Sequence, residues 1–201
     1  MSPSAKSLHA TASPDGRRER GARNKTAVIE AVLQLYEAGE IQPSAARVAE
    51  VAGVSERSVF RYFDDMEDLA AHAIVIQWER VRQLYEGLDG SGDFDERLRK
   101  MIDHRLRLFD RVSGVDRACV VMSVRSATVA TAMNQRRSIL RAQSVGQFAP
   151  EIAANSRSDA VAHIVDYTLS IENIDYLRSC VGLSRSRTRH TLSTALRLAL
   201  T

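Results

Sequence analysis

Arg47-Val48-Ala49-Glu50-Val51-Ala52-Gly53-Val54-Ser55-Glu56-Arg57-Ser58-Val59-Phe60-Arg61-Tyr62-Phe63 reads as two short helices joined by a tight turn. Val48, Ala49 and Ala52 fall on one inner face of the first helix. Gly53 stands where a left-handed residue must end that helix, because glycine enters this region without a Cβ clash. Val54 fills the joint. Ser55 is placed to cap the second helix, its hydroxyl accepting from the free amide of Arg57 or Ser58. Val59 and Phe63 recur four residues apart and face inward, which leaves Glu56, Arg57, Ser58, Phe60, Arg61 and Tyr62 mostly outward. A short helix with a polar and aromatic outer face, held by a glycine turn, has the geometry that enters a DNA major groove.

Outward from this stretch the pattern stays helical. A first helix begins at Asn24 or a neighbour, carries Ala27, Val28, Ala31, Val32, Leu35 and Tyr36 at helical spacing, and ends at Gly39. Pro43-Ser44 opens the second helix with Ser44 as its cap. The third, residues 55–63, is the recognition helix. Asp64-Asp65 marks a turn, and a long fourth helix runs from Met66 through Leu69, Ala73, Trp78 and Val81 to Leu84 or beyond. Gly87 to Gly92 is a break. A fifth helix spans Phe94 to about Val112, where Gly114 interrupts it. Ala118 to Val124 is a short apolar segment that also fits a strand, and with helices on both sides it reads as a sixth, buried helix. Thr128 to Phe148 is the seventh, which Ala149-Pro150 ends or kinks. Asp159 to Cys180 is the eighth. Gly182 breaks it, and Ser184 caps a ninth in which Leu192, Leu196 and Leu200 recur every four residues. The expectation is an all-α chain of about nine helices: a basic, disordered arm over 1–22, a three-helix helix-turn-helix domain over 23–70, and a larger helical domain over 71–201.

Composition agrees. The 201 residues suffice for one or two domains, and the few prolines (Pro3, Pro14, Pro43, Pro150) avoid the strongly periodic stretches. No apolar run approaches the ~18–20 residues of a membrane span, and the N-terminus has no signal-peptide core; a soluble, cytoplasmic chain without membrane contact is expected. Cys119 and Cys180 lie far apart, with no CxxC partner and no histidine at ligand spacing. Both read as small apolar residues, with a redox-switch disulfide as the alternative, and no metal site is expected. There is no glycine-rich phosphate loop, GxSxG or HExxH, and the five histidines are scattered. Neither an enzyme nor a cofactor is expected.

Charge is unevenly spread. Residues 1–25 hold six Lys or Arg against two acids, residues 26–90 five against twelve, and residues 91–201 seventeen against eleven. The segment with the helix-turn-helix pattern is thus acidic on average, which weakens nonspecific attraction to phosphate. Its acids cluster at Asp64, Asp65, Glu67 and Asp68, where they suit the start of the fourth helix. Arg17, Arg18, Arg20, Arg23 and Lys25 precede the first helix. They are either a solvated tail or an arm that contacts phosphates or the minor groove.

The run AGVSERSVFRYF (52–63), followed by Glu67-Asp68-Leu69, resembles the N-terminal signature of TetR-type (tetracycline-repressor-like) transcriptional regulators. The resemblance covers roughly residues 23–80. Beyond that it rests on helical layout and on an ending that includes Asp175-Tyr176-Leu177-Arg178 and Gly182-Leu183-Ser184. It implies a ligand-responsive DNA-binding regulator, by majority behaviour a repressor. Such a protein binds a palindromic double-stranded DNA operator as a homodimer and is released by a small-molecule inducer. The fourth helix would link the reading head to a ligand-binding and dimerisation body, and the last two helices of each subunit would form the dimer interface.

Residue by residue, Tyr62 matches a phosphate-contacting position, and Ser58 a threonine that meets backbone or base. Arg57 and Arg61 lie on the outward face, suited to guanine. Ser44 would set its hydroxyl and helix N-terminus near a phosphate, and Arg23 and Lys25 belong to the basic arm. Glu56 suits either cytosine N4 or helix capping, with capping preferred. In two places the chain departs from the pattern: Phe60 replaces a usual Tyr, and Met66 a usual Lys. Both remove backbone contacts. Together with the acidic head, they support an alternative, a helical protein–protein interaction module that has lost DNA binding. For the ligand pocket the expected lining is Trp78, Met101, His104, Arg105, Phe109, Met122, Arg125, Met133 and Tyr167, each of which also reads as core or surface.

Overall fold

A computed structural model describes residues 14–201 of the chain, with side chains from Arg18 onward. The helices are α1 (Pro14–Glu37), α2 (Ala45–Ala52), α3 (Glu56–Tyr62), α4 (Met66–Val81), α5 (Phe94–Ser123), α6 (Ala127–Gln147), α7 (Ala149–Ala154), α8 (Ser158–Thr168), α9 (Ile171–Asp175) and α10 (Arg185–Leu200). A 3-10 turn, Arg82–Tyr85, follows α4, and a π turn, Tyr176–Cys180, follows α9. No strand occurs among the described residues, so the fold is all-α.

The chain divides into two compact units. The first holds the described residues up to Leu35 together with Pro43–Ala73, and the second holds Tyr36–Gln42 and Ile74–Thr201. The division differs from a cut at residue 70, because the end of α1 belongs with the second unit. The reason is at Gly114, where a Cβ would lie 2.5 Å from the Tyr36 carbonyl oxygen and 2.8 Å from the Glu37 nitrogen. Only glycine lets the two backbones come this close.

In the first unit, Val28, Val32, Val48, Val59, Leu69 and Ala73 are fully buried. Phe63 joins this core at 2% exposure. Its ring meets the edge of His72 at 5.3 Å between centroids, and the Lys25 ammonium lies 5.1 Å from the ring centre. In the second unit α5 packs against α6, α9 and α10, while α8 packs against α6, α7 and α10. Leu98, Met101, Ile102, Leu106, Phe148, Val165, Ile174, Leu192 and Leu196 form its core. Each fully buried Leu, Ile, Met or Phe side chain contributes about 1.5–3 kcal/mol. The four-residue repeat of leucines on α10 is therefore the strip that holds this helix down.

Several element boundaries differ from the sequence expectation. α1 starts at Pro14 rather than near Asn24, so residues 14–22 extend a helix rather than form an irregular arm. Arg and Glu are good helix formers, and Glu19 precedes Arg23 by one favourable spacing. The remainder of the expected arm, residues 1–13, lies outside the described residues. The expected fifth and sixth helices are one helix, α5, because Gly114 serves packing against Tyr36 rather than a break. That helix stops at Ser123, and Ser126 caps α6 through the Val129 amide. The expected eighth helix is three pieces, because the Ser170 hydroxyl accepts from the Asn173 amide and starts α9 afresh. Gly182 follows the π turn in the left-handed region (φ 74°), and Ser184 caps α10 as expected.

Candidate nucleic-acid interface

Local chemistry shapes the α2–turn–α3 segment. Ser44 caps α2, its Oγ accepting from the Arg47 amide at 3.2 Å. Gly53 ends α2 at φ 66°, ψ 33°, and the Val54 amide donates to the Ala49 carbonyl at 3.0 Å. This left-handed stop satisfies carbonyls that the helix end would otherwise leave unpaired. Ser55 then caps α3, accepting from the Ser58 amide at 3.3 Å. With both caps made and Val59 fully buried, the orientation of α3 about its own axis is fixed, so its outer face is fixed too.

That face carries Glu56, Arg57, Phe60 and Arg61 exposed, with Ser58 and Tyr62 half-buried. Arg57 has no hydrogen bond or ion pair among the described residues, so its five donors are available. Arg61 lies over the Tyr62 ring, 4.7 Å from its centre, and donates to the Tyr62 hydroxyl at 2.6 Å. The Tyr62 hydroxyl accepts in that bond, so its own proton is left to donate outward. Ser58 shares a hydroxyl contact of 2.9 Å with Ser55.

Arg18, Arg20 and Arg23 are exposed on α1, while Lys25 is half-buried on Phe63. The acids behind α3 are engaged in starting α4. The Asp65 carboxylate accepts from the Asp68 amide at 2.8 Å, and Asp68 pairs with His72 at 3.1 Å. Their charge therefore sits on the N-terminus of α4 rather than on the α3 face. Exposed Phe60 makes that face partly apolar.

The second unit holds a half-open cavity of about 280 Å³ between α4 and α6, lined by Ile74, Val75, Trp78, Ala132, Gln135, Arg136 and Ile139. Of the nine residues expected to line a pocket, Trp78 is there. Met101, Phe109 and Met133 are buried in the core. His104 is buried with Nε2 on the Leu84 carbonyl at 2.7 Å, and burial lowers its pKa. Arg105 is fully buried and donates to Gln143 Oε1, the Leu140 carbonyl and Ser144 Oγ at 2.7–2.9 Å. Burial brings its pKa down to about 10. Met122 is half-buried, and Arg125 and Tyr167 are exposed. The structure does not bring these nine together. Ala132, Gln135, Arg136 and Ile139 recur at three- and four-residue steps along α6, a spacing that marks one helix face in the sequence.

No family model matches this chain, and no curated protein matches it. Among solved structures, the chain is similar to a transcriptional regulator from Rhodococcus sp. Rha1. The TM-score is 0.65 at 18% identity, over 90% of this chain and 95% of that one. At that identity the likeness establishes a shared fold. Among the described residues no helix is long and apolar enough to cross a membrane.

Proposed function

We propose that this chain is a ligand-responsive, DNA-binding transcriptional regulator of the TetR type. It binds a palindromic operator as a homodimer, acts as a repressor and leaves DNA when a small molecule binds the second unit. The outer face of α3 is the observation that carries this reading. A helix fixed by Ser55, Gly53 and buried Val59 presents Arg57 without an internal partner beside the Arg61–Tyr62 pair. Arg57 and Arg61 read base edges, Tyr62 and Ser58 hold the backbone, and Ser44 and Arg23 flank them on phosphate. Lys25, which lies over the Phe63 ring, adds its charge to that of Arg23.

The dimer reading rests on α8 and α10, which pack together yet leave Ile164, Tyr167 and Leu198 at 46%, 69% and 81% exposure. A two-fold dimer places two recognition helices on two half-sites. The structure of α4 supports coupling, because Met66–Ala73 belongs to the first unit and Ile74–Val81 to the second. A ligand beside Ile74 and Trp78 releases DNA only by its differential affinity for the two states.

The test is selection of binding sites from random duplexes, followed by fluorescence anisotropy over a salt series. The wild type should bind the selected site far more tightly than scrambled DNA and lose affinity steeply with salt. Each bidentate guanine contact is worth about 1–3 kcal/mol of discrimination, so R57A/R61A should abolish the preference. Discrimination that survives both changes overturns the assignment of the reading face. If no site is enriched, the exposed Phe60 favours the protein-interaction module instead.

A further inference from the structure

The cavity between α4 and α6 lies next to a buried cluster whose charges do not balance. Trp78, in its wall, packs against Tyr85 with the rings tilted by 43° and their centres 4.5 Å apart. Tyr85 is 8% exposed, and both Arg105 and Arg136 act electrostatically on its hydroxyl. Arg136 is also part of the cavity wall, with its side chain at 14% exposure. Its carboxylate neighbour is Asp116, at 3.7 Å, an ion-pair distance too long for a hydrogen bond. Burial raises the Asp116 carboxyl above its usual value. Arg105 meets Gln143, Leu140 and Ser144, all neutral, and its Nε has no partner.

The neighbouring acids have arginine partners of their own, and Asp166 also acts on Arg105. Asp166 pairs with Arg141 at 2.8 Å, Glu172 with Arg137 at 2.7 Å, and Asp175 with Arg117 at 2.5 Å. Arg105, Arg136 and Arg141 thus share two carboxyl groups, Asp116 and Asp166, which leaves one positive charge in excess. Buried charge of this kind is costly unless a counter-ion arrives. The rest of the wall is apolar: Ile74, Val75, Trp78, Ala132 and Ile139.

We propose that the α4–α6 cavity binds a small monoanionic amphiphile, with an aromatic or branched apolar body against Trp78 and Ile139 and a carboxylate on Arg136. This names the ligand class for the regulator proposed above, and rests on that reading only for its biological use. About 280 Å³ admits a single ring with a short chain rather than a long lipid. The carboxylate pairs with Arg136 more closely than Asp116 does at 3.7 Å, beside the guanidinium's contacts to Tyr85 and Cys119, and the ligand charge balances the excess positive charge of the cluster.

The experiment is isothermal titration of the full chain, without DNA, with 4-phenylbutyrate and with 4-phenylbutan-1-ol, which matches it except for the carboxylate. The acid should bind at least about tenfold more tightly than the alcohol. R136Q should bring the two to parity. A132W, which fills the cavity from an exposed helix position, should abolish binding of both while keeping the wild-type circular dichroism and melting curve. The proposal is overturned if neither compound binds the wild type, if acid and alcohol bind equally, or if A132W binds as the wild type does. Should R136Q fail to fold, the wild-type preference and A132W still decide. Because no DNA is present, failure here leaves the reading-face assignment standing, and failure of operator selection leaves this one standing.

Discussion

In the first unit the arginines stand in solvent: Arg23, Arg47, Arg57 and Arg61 are all exposed. In the second unit Arg97 and Arg105 are buried, and Arg136 nearly so. The other buried polar side chains among the described residues, including Gln77, His104, Ser144, Gln147, Thr168 and Thr188, also belong to the second unit. The same residue type therefore does two different jobs. An exposed guanidinium such as that of Arg57 keeps its donors for a large partner that comes to the surface. A buried one must be satisfied from within, as Arg97 is by the Gln147 carbonyl and Glu151, or else by something small enough to enter. Short capped helices around a small apolar core suit the first arrangement, and a long central helix packed on several sides suits the second.

Four changes probe that contrast, from the largest effect to the smallest. F63A removes the aromatic centre of the first core and should cost about 3–5 kcal/mol. Amide exchange should quicken over residues 45–62 and stay slow over 94–123, whereas equal loss in both would show that the two cores are not separate. G114A does the converse. Its Cβ meets the Tyr36 backbone, and overpacking of this kind costs about 1–3 kcal/mol. Faster exchange should appear in α5 and over residues 36–42, with α2 and α3 unaffected.

S55A deletes the cap of α3 and should cost about 1 kcal/mol. It should weaken DNA binding without altering the half-site preference, because it loosens the reading face but does not change it. The smallest effect is expected at acid pH. The hydrogen bond from Arg97 holds the Glu151 carboxyl below its usual value. A depressed folded pKa gives stability that is present above the unfolded value, near pH 4.3, and is lost as pH falls through the folded value. Denaturant midpoints across that window should therefore fall less steeply for E151Q than for the wild type. An unchanged slope would show that this buried pair carries no such linkage.

The reading face was legible because everything that shapes it is local. Ser44, Gly53, Ser55 and Ser184 act within four residues of themselves, so their caps and left-handed turn follow from residue type and order. Ser126 and Ser170 give the same local signal at less periodic places, and each starts a helix that periodicity alone merged or shifted. The pocket was not legible in the same way. Met101, Arg105 and Phe109 lie on the same helix and differ in role only by what packs against each turn, which depends on α6, α9 and α10.

The sequence by itself determined that this chain is helical, where its short helices are capped, and which side chains α3 turns outward. Each of these depends on interactions a few residues long. Only the tertiary structure decided that Gly114 lies inside an unbroken helix against the Tyr36 backbone. It alone placed the cavity between α4 and α6, and brought Arg105, Arg136 and Asp116 into one buried cluster. Backbone approach, cavity shape and charge balance depend on residues far apart in the chain, and local pattern carries no record of which of them meet.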